Sequence, residues 1–272
     1  MGMNTKGFLI GLLLLVASGL AAAPQAELWP RWEAHNPDST TEIDHSAWGS
    51  FMDEYLVTNH PSGVNRVRYG EVSAADQRSL QNYLDMLQSV QVSDLNRDEQ
   101  LAYWINLYNA ATVDLIVENY PLDSIRDLGE GMFSQGPWDD AILVVEEEDL
   151  TLNDVEHRII RPIWEDERIH YVVNCASIGC PNLYPEPLTA ETYEEIFERS
   201  ARDYTTHERG VSFSRNRLVL SSIYDWYVAD FGDSLEGVVA HLSEYVDSDT
   251  ARRLQNYDGR VNYEYDWDLN EP

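Results

Sequence analysis

Basic residues are scarce in this chain. Its 272 residues hold 18 Lys and Arg against 48 Asp and Glu, a formal charge of −30. Phosphates would repel such a surface, so nucleic acid and anionic membranes are excluded as partners. The excess is spread along the whole sequence, which fits a halophilic-type composition whose self-repulsion is screened by salt. Cysteine is nearly absent, with only Cys175 and Cys180, so this is no disulfide-built scaffold. The longest early apolar run, Phe8 to Val16, falls short of the ~20 residues that a spanning helix needs. Fixed-period repeats and low-complexity linkers are missing as well. So are a phosphate-cradling glycine loop, a G-x-S-x-G elbow and an H-E-x-x-H pair, which removes the usual support for nucleotide, serine-esterase and zinc-peptidase chemistry.

What is present is core material: 43% hydrophobic and 11% aromatic residues, enough for one large domain. At the start, Lys6, the run Phe8–Val16 and the small residues Ala17 to Ala23 have the three parts of a secretory signal. The expected organisation is a signal over 1–23, an arm over 24–70 and a single domain over 71–272. Cleavage is expected between Ala21 and Ala26, giving a periplasmic or secreted protein with no stable membrane anchor after signal removal. No cysteine lies near enough for lipid attachment.

Residues 27–50 read as an irregular arm. Helical spacing covers 74–90, and Asn96 with Glu99 has the form of a capping box opening a long helix that Tyr120-Pro121 ends. That helix is apolar nearly all round, so Asn106 and Asn109 must find hydrogen-bond partners within the core. Ala141–Val145 reads as a short strand, and Thr151 with Asp154 caps a helix stopped by Pro162. Ile169–Asn174 reads as a buried strand leading into a turn, with Gly179 as hinge. Further on come a helix from Thr189 to Tyr204, a hairpin turning at 215–217, helices over 222–230, after Asp233 and near 250–255, and a strand Val261–Tyr265. Helices first and mixed elements afterwards give α+β, a helix-rich N-terminal half on a small mixed or antiparallel sheet.

Chemistry concentrates in Glu156, His157, His170, Asn174, Cys175 and Cys180. One reading is a thiolate nucleophile at Cys175 with His157 as base. At 100° per residue, His157 points away from the stripe of Leu152, Val155 and Ile159 and is free to face a cleft. A second reading is a zinc site, though the C-x₂-C spacing is lacking and His170 lies in an apolar segment. The third is structural: a Cys175–Cys180 disulfide or buried thiols, with His157 on the surface. The acidic run Glu146–Asp149 lacks the alternation of a calcium loop. Trp226-Tyr227 reads either as core or as a stacking platform.

Three blocks resemble those of the domain of unknown function 547 (DUF547) family: Asp98–Ala110 (D-E-Q-L-A-Y-W-I-N-L-Y-N-A), Leu152–His157 (L-N-D-V-E-H) and Arg168–Pro181 (R-I-H-Y-V-V-N-C-A-S-I-G-C-P). The segment Tyr265–Asn270 (Y-D-W-D-L-N) resembles its terminus. The resemblance implies a site related to papain-like and transglutaminase-like thiol enzymes. Members in which the second cysteine position is serine make Cys175 rather than Cys180 the implied nucleophile. The resulting expectation is an exported thiol-dependent hydrolase or acyltransferase, acting without a cofactor or metal on a peptide-like or thiol-bearing small molecule. In it Glu156 or Asn109 orients His157, and the amides of Ala176–Gly179 stabilise an oxyanion. Glu156 is the weaker orienter, because neighbours on a helix diverge. The alternatives are a non-catalytic binding or scaffold domain and a Cys175/Cys180 redox pair.

Overall fold

Asn96 starts the central element. Its side chain accepts from the Glu99 amide at 2.9 Å and caps helix α3, Arg97–Asn119, which is named here in chain order after α1 (Ser46–Tyr55) and α2 (Ala74–Gln88). The Glu99 carboxylate does not close the capping box; it accepts the Ile43 amide instead. At 1.5 Å per residue α3 is about 35 Å long, and it is buried on nearly every side. The computed structural model describes residues 24–129, 136–214 and 217–272. The signal expected over 1–23 and most of the hairpin turn at 215–217 lie outside the described residues.

A helix buried all round needs neighbours on every side. α1 and α2 supply one layer, with Tyr103 donating from α3 to the Leu87 carbonyl at 2.9 Å. The segment before them is less irregular than the sequence suggests. It holds a turn of 3₁₀ helix over Pro30–Glu33, and Trp32 stands edge-on to Trp104 at 5.1 Å. Polar side chains on α3 reach irregular backbone. Gln100 donates to the carbonyls of Ala34 and Val92, and Asn106 both donates to and accepts from Leu188. These bonds satisfy chain that has no ladder of its own.

Strands are confined to three small sheets among the described residues, which makes the fold α+β. Strands β1 (Leu56–Val57) and β2 (Arg66–Val67) pair, and β3 (Leu143–Val145) pairs with β4 (Glu148–Leu150). The third sheet sets β5 (Val211–Ser214) antiparallel to β6 (Arg217–Ser221), and β7 (Val261–Glu264) lies parallel to β6. Around it a second apolar cluster gathers Tyr204, Leu220, Tyr224 and Leu242. Helices α4 (Arg161–Trp164), α5 (Tyr193–Thr206), α6 (Ile223–Trp226), α7 (Leu235–Tyr245) and α8 (Ser248–Gln255) complete the order.

Three local expectations change. Asp154–Ile160 is a π-helix, not an α-helix, and Pro162 sits in the first turn of α4 rather than ending a helix. Ile169–Asn174 is no strand: Glu167–Tyr171 forms 3₁₀ helix, and Asn109 bonds the chain beyond it. Gly179 is not a hinge. A Cβ there would stand 2.8 Å from both the Asp266 nitrogen and oxygen, so the glycine permits a close backbone approach. The left-handed residue of the loop is Ala176.

Asp114 on α3 is 9% exposed, and its Oδ1 has no partner. Burial, with Glu118 and Asp85 nearby, lifts its pKa to about 7 against the hydrogen bond from Gln81. A raised folded-state value means that the proton binds the folded chain more tightly, so this group's contribution to stability falls as pH rises from about 4 and is lowest above 7. Asp114→Asn should stabilise the protein by about 1–2 kcal/mol at alkaline pH. That gain should vanish near the ordinary carboxylate range, as measured by urea unfolding across pH.

Candidate active site

The site begins with Asn109, one turn beyond Asn106 on α3. Its side chain donates to the Val172 carbonyl and accepts from the Asn174 amide, both at 2.8 Å. Asn174 then repeats the device. It donates to the Pro181 carbonyl at 2.7 Å and accepts from the Ala176 amide at 2.9 Å, closing the loop that holds both cysteines. From the other side the segment 266–270 clips the same loop. Ile178 and Gly179 donate to the Asp268 and Asp266 carbonyls, and Asn270 donates to the Ala176 carbonyl. The loop is thus fixed at both ends and along its length.

Within it, Cys175 and Cys180 are joined as a disulfide, and no free thiol is present. Cys175 is half-buried, whereas Cys180 is 4% exposed. The Cys175 amide points at the Cys180 sulfur, 2.9 Å away. The Tyr265 hydroxyl lies 3.1 Å from each sulfur, and the Ser177 hydroxyl is 3.2 Å from that of Cys175. Burial pushes the Tyr265 hydroxyl pKa up, which keeps it protonated as a donor.

The second half of the site is a charge network. Asp230 accepts a fork from Arg161, Nε at 2.7 Å and Nη2 at 3.1 Å, and lies 2.7 Å from His170 Nε2. These partners hold its carboxyl well below the usual range, against the opposing effect of burial. Arg161 Nη1 donates to His157 Nδ1 at 2.9 Å. Arginine has only donors, so His157 accepts there and carries its proton on Nε2. Burial holds the His157 pKa below its ordinary value; Arg161 and His170 act in the same direction, against Glu156 and Asp230. The Tyr227 ring stacks on His170 at 4.1 Å and lies beneath Arg161 at 4.8 Å.

Glu156 stands between the two halves. Its Oε1 is 3.7 Å from His157 Nδ1, and its charge acts on the hydroxyls of Tyr108, Tyr227 and Tyr265. For all three, burial is the larger reason that the pKa is raised. The π-helix explains why Glu156 and His157 are both buried: each residue turns through less than the 100° assumed for an α-helix.

The structure therefore brings Glu156 and His157 together, with Cys175 and Cys180 reached through Tyr265. It does not assemble the expected nucleophile and base. The sulfurs are bonded to each other, and His157 makes no hydrogen bond to either, its Nδ1 being taken by Arg161. Asn109 does not orient the imidazole; it positions the chain leading to Cys175. Three of the four amides expected as oxyanion donors over Ala176–Gly179 are engaged, those of Ala176, Ile178 and Gly179 being bonded to Asn174, Asp268 and Asp266. Sequence reasoning missed Arg161 and Asp230; it named Tyr227 as core or a stacking platform, and the ring stacks on His170. His170 and Asp230 are 60 residues apart, and no short motif links them.

A family model described as "Protein of unknown function, DUF547" matches residues 92–205. The stretch includes Asn109, Glu156, His157 and both cysteines, while Asp230 and the segment 265–270 lie beyond it. The chain matches no curated protein and no solved structure.

Asp230→Asn should cost about 2–3 kcal/mol, because Arg161 is left buried without its counter-charge. Since the Asp230 pKa is lowered in the fold, this stabilisation is complete above the ordinary carboxylate value and is lost as pH falls below it. Chemical denaturation should therefore show the variant and the parent converging only in strong acid.

Proposed function

With residues 92–205 matched by the DUF547 family model, we propose that the Cys175–Cys180 pair performs thiol–disulfide exchange with a peptide-like or thiol-bearing small molecule. The observation that carries this reading is the asymmetry of the pair. A half-buried Cys175 is bonded to a buried Cys180, whose sulfur faces the Cys175 amide and the Tyr265 hydroxyl. An incoming thiolate attacks the sulfur it can reach, Cys175 Sγ. The Sγ–Sγ bond breaks, and its electron pair leaves on Cys180 as a thiolate. Two hydrogen-bond donors already lie at that sulfur, and bonding to the charged form favours it. A second thiolate then attacks the sulfur of the mixed disulfide that belongs to the first substrate. The products are the oxidised substrate pair and a reduced Cys175/Cys180 dithiol. The reverse sequence reduces a substrate disulfide.

The hydrolase or acyltransferase reading uses the same sulfur in its reduced form. It lacks a direct imidazole contact, and three of the four loop amides that would serve an oxyanion are already bonded. Export, supported by Lys6 and the run Phe8–Val16, suits an oxidised pair.

The test uses the folded full chain in mixtures of 2-mercaptoethanol and its disulfide, quenched with iodoacetamide and weighed. The pair should equilibrate without denaturant. Cys180→Ser should form one mixed disulfide at Cys175, and Cys175→Ser should leave a Cys180 that alkylates at least about tenfold more slowly. Sulfurs that react only after unfolding would identify the bridge as structural and leave the scaffold reading.

A further inference from the structure

Beside the reactive sulfur lies a wall of aromatic rings that the exchange chemistry does not use. Tyr265 contacts Cys175 through its hydroxyl, and its ring lies 4.6 Å from Trp267 and 4.8 Å from Trp226. Trp226 and Trp267 are 5.6 Å apart, and Trp138 stands edge-on to Trp267 at 5.7 Å. All four rings are partly exposed, unlike the sealed Trp48 and Trp104 of the core. The clamp that holds the cysteine loop also holds this wall, because Asp266 and Asp268 bond the loop amides through their carbonyls.

Apart from Arg126 over Trp267 and Arg209 near Tyr265, the charge around the rings is negative. Asp139 and Asp140 follow Trp138, Asp225 precedes Trp226, and Asp266 and Asp268 flank Trp267. All five side chains are exposed, and among the described residues none takes part in an ion pair. Consecutive residues are about 3.8 Å apart, well within the screening length of about 8 Å at physiological salt. The negative field of these carboxylates thus adds to that of the ring faces, and both attract cations. The protein supplies its own example: the Arg126 guanidinium stands over Trp267 at 5.2 Å.

We propose that the thiol or disulfide exchanging with Cys175 is cationic, a peptide segment with Lys or Arg beside its cysteine, docked across Trp226 and Trp267. This inference rests on the exchange reading for its chemistry and on the aromatic wall for its specificity. The cysteine of the substrate reaches Cys175 past Tyr265, while the flanking cation lies on the indoles. An acidic thiol is repelled at the same surface.

Three short amidated peptides test it on the full chain: Arg-Cys-Arg, Gln-Cys-Gln and Glu-Cys-Glu. Opening of the disulfide should be about tenfold faster with the arginine peptide than with the glutamine one. The advantage should survive at about 1 M salt, where screening to about 3 Å removes the attraction of the overall charge. Trp226→Leu and Trp267→Leu should each reduce it about threefold, whereas Arg126→Gln, which frees an indole face, should increase it about twofold. The same peptides with Ser in place of Cys, titrated against tryptophan fluorescence, read docking without any sulfur chemistry. Equal rates for all three peptides at high salt, or rates unaffected by the tryptophan and arginine changes, would overturn the proposal while leaving exchange itself intact. Failure of exchange with every thiol, alongside preferred binding of Arg-Ser-Arg, would remove the exchange reading and retain the cationic docking face.

Discussion

The arrangement depends on one constraint: irregular backbone buried beside α3 has no strand partner, so side chains of α3 must satisfy it. Gln100, Asn106 and Asn109 do this along one helix, for Ala34 and Val92, for Leu188, and for Val172 and Asn174. An unpaired peptide group in a dry core costs about 1–3 kcal/mol, so each of these amides is worth more than the net value of one exposed hydrogen bond. The consequence for the site is geometric. Asn109 fixes Asn174, Asn174 fixes both sides of the cysteine loop, and the position of the sulfurs is thereby referred back to the most deeply buried helix of the molecule.

The legible parts of the fold were those governed by periodicity and capping. Asn96, the continuous apolar character of 97–119 and the pairing of 211–213 with 218–220 are local signals, and they survive because no tertiary demand opposes them. The demand for partners at Asn106 and Asn109 was legible too, although not the identity of those partners. Ile169–Asn174 misled because a run of apolar residues is equally at home in a strand and in chain pinned by side chains; the difference is made by Asn109, over sixty positions earlier. The region 154–160 misled for another reason. Its capping pattern and apolar spacing fit an α-helix, but only the wider π turn carries Glu156 and His157 inward together. Asp230 was invisible because its role is set by Arg161 and His170, which reach it from distant elements.

Electrostatics divides the molecule in two. Outside, most of the carboxylate excess is a solvated charge cloud, and only the exposed carboxylates beside Trp138, Trp226 and Trp267 enter the proposed docking face. Inside, the few basic groups are placed with care. Arg161 is 5% exposed and serves Asp230, His157 and the Pro24 carbonyl at once, so its charge is compensated by one carboxylate and shared among neutral acceptors. A cation so engaged does not activate a nucleophile; it fixes the tautomer of His157 and the position of Asp230. The imidazole is thereby a neutral member of a bonded network, which is why the charge network and the sulfur pair are better read as neighbours than as base and nucleophile.

The clamped loop bears on the choice between a structural bridge and a working one. A disulfide stabilises chiefly by limiting what the unfolded chain can do, and a loop this short, with a sequence separation of 5, offers little to limit. Here the loop is already held by Asn174 within and by 266–270 without, bonds that do not involve the sulfur–sulfur link. The frame around the two sulfurs, with the Tyr265 and Ser177 hydroxyls and the Cys175 amide, is thus built from bonds other than the bridge. In the proposed exchange, opening and closing would therefore act within a loop that is held independently of the bridge. A bridge that adds little to stability, joining a half-buried Cys175 to a buried Cys180 furnished with donors, is the arrangement the proposed exchange requires.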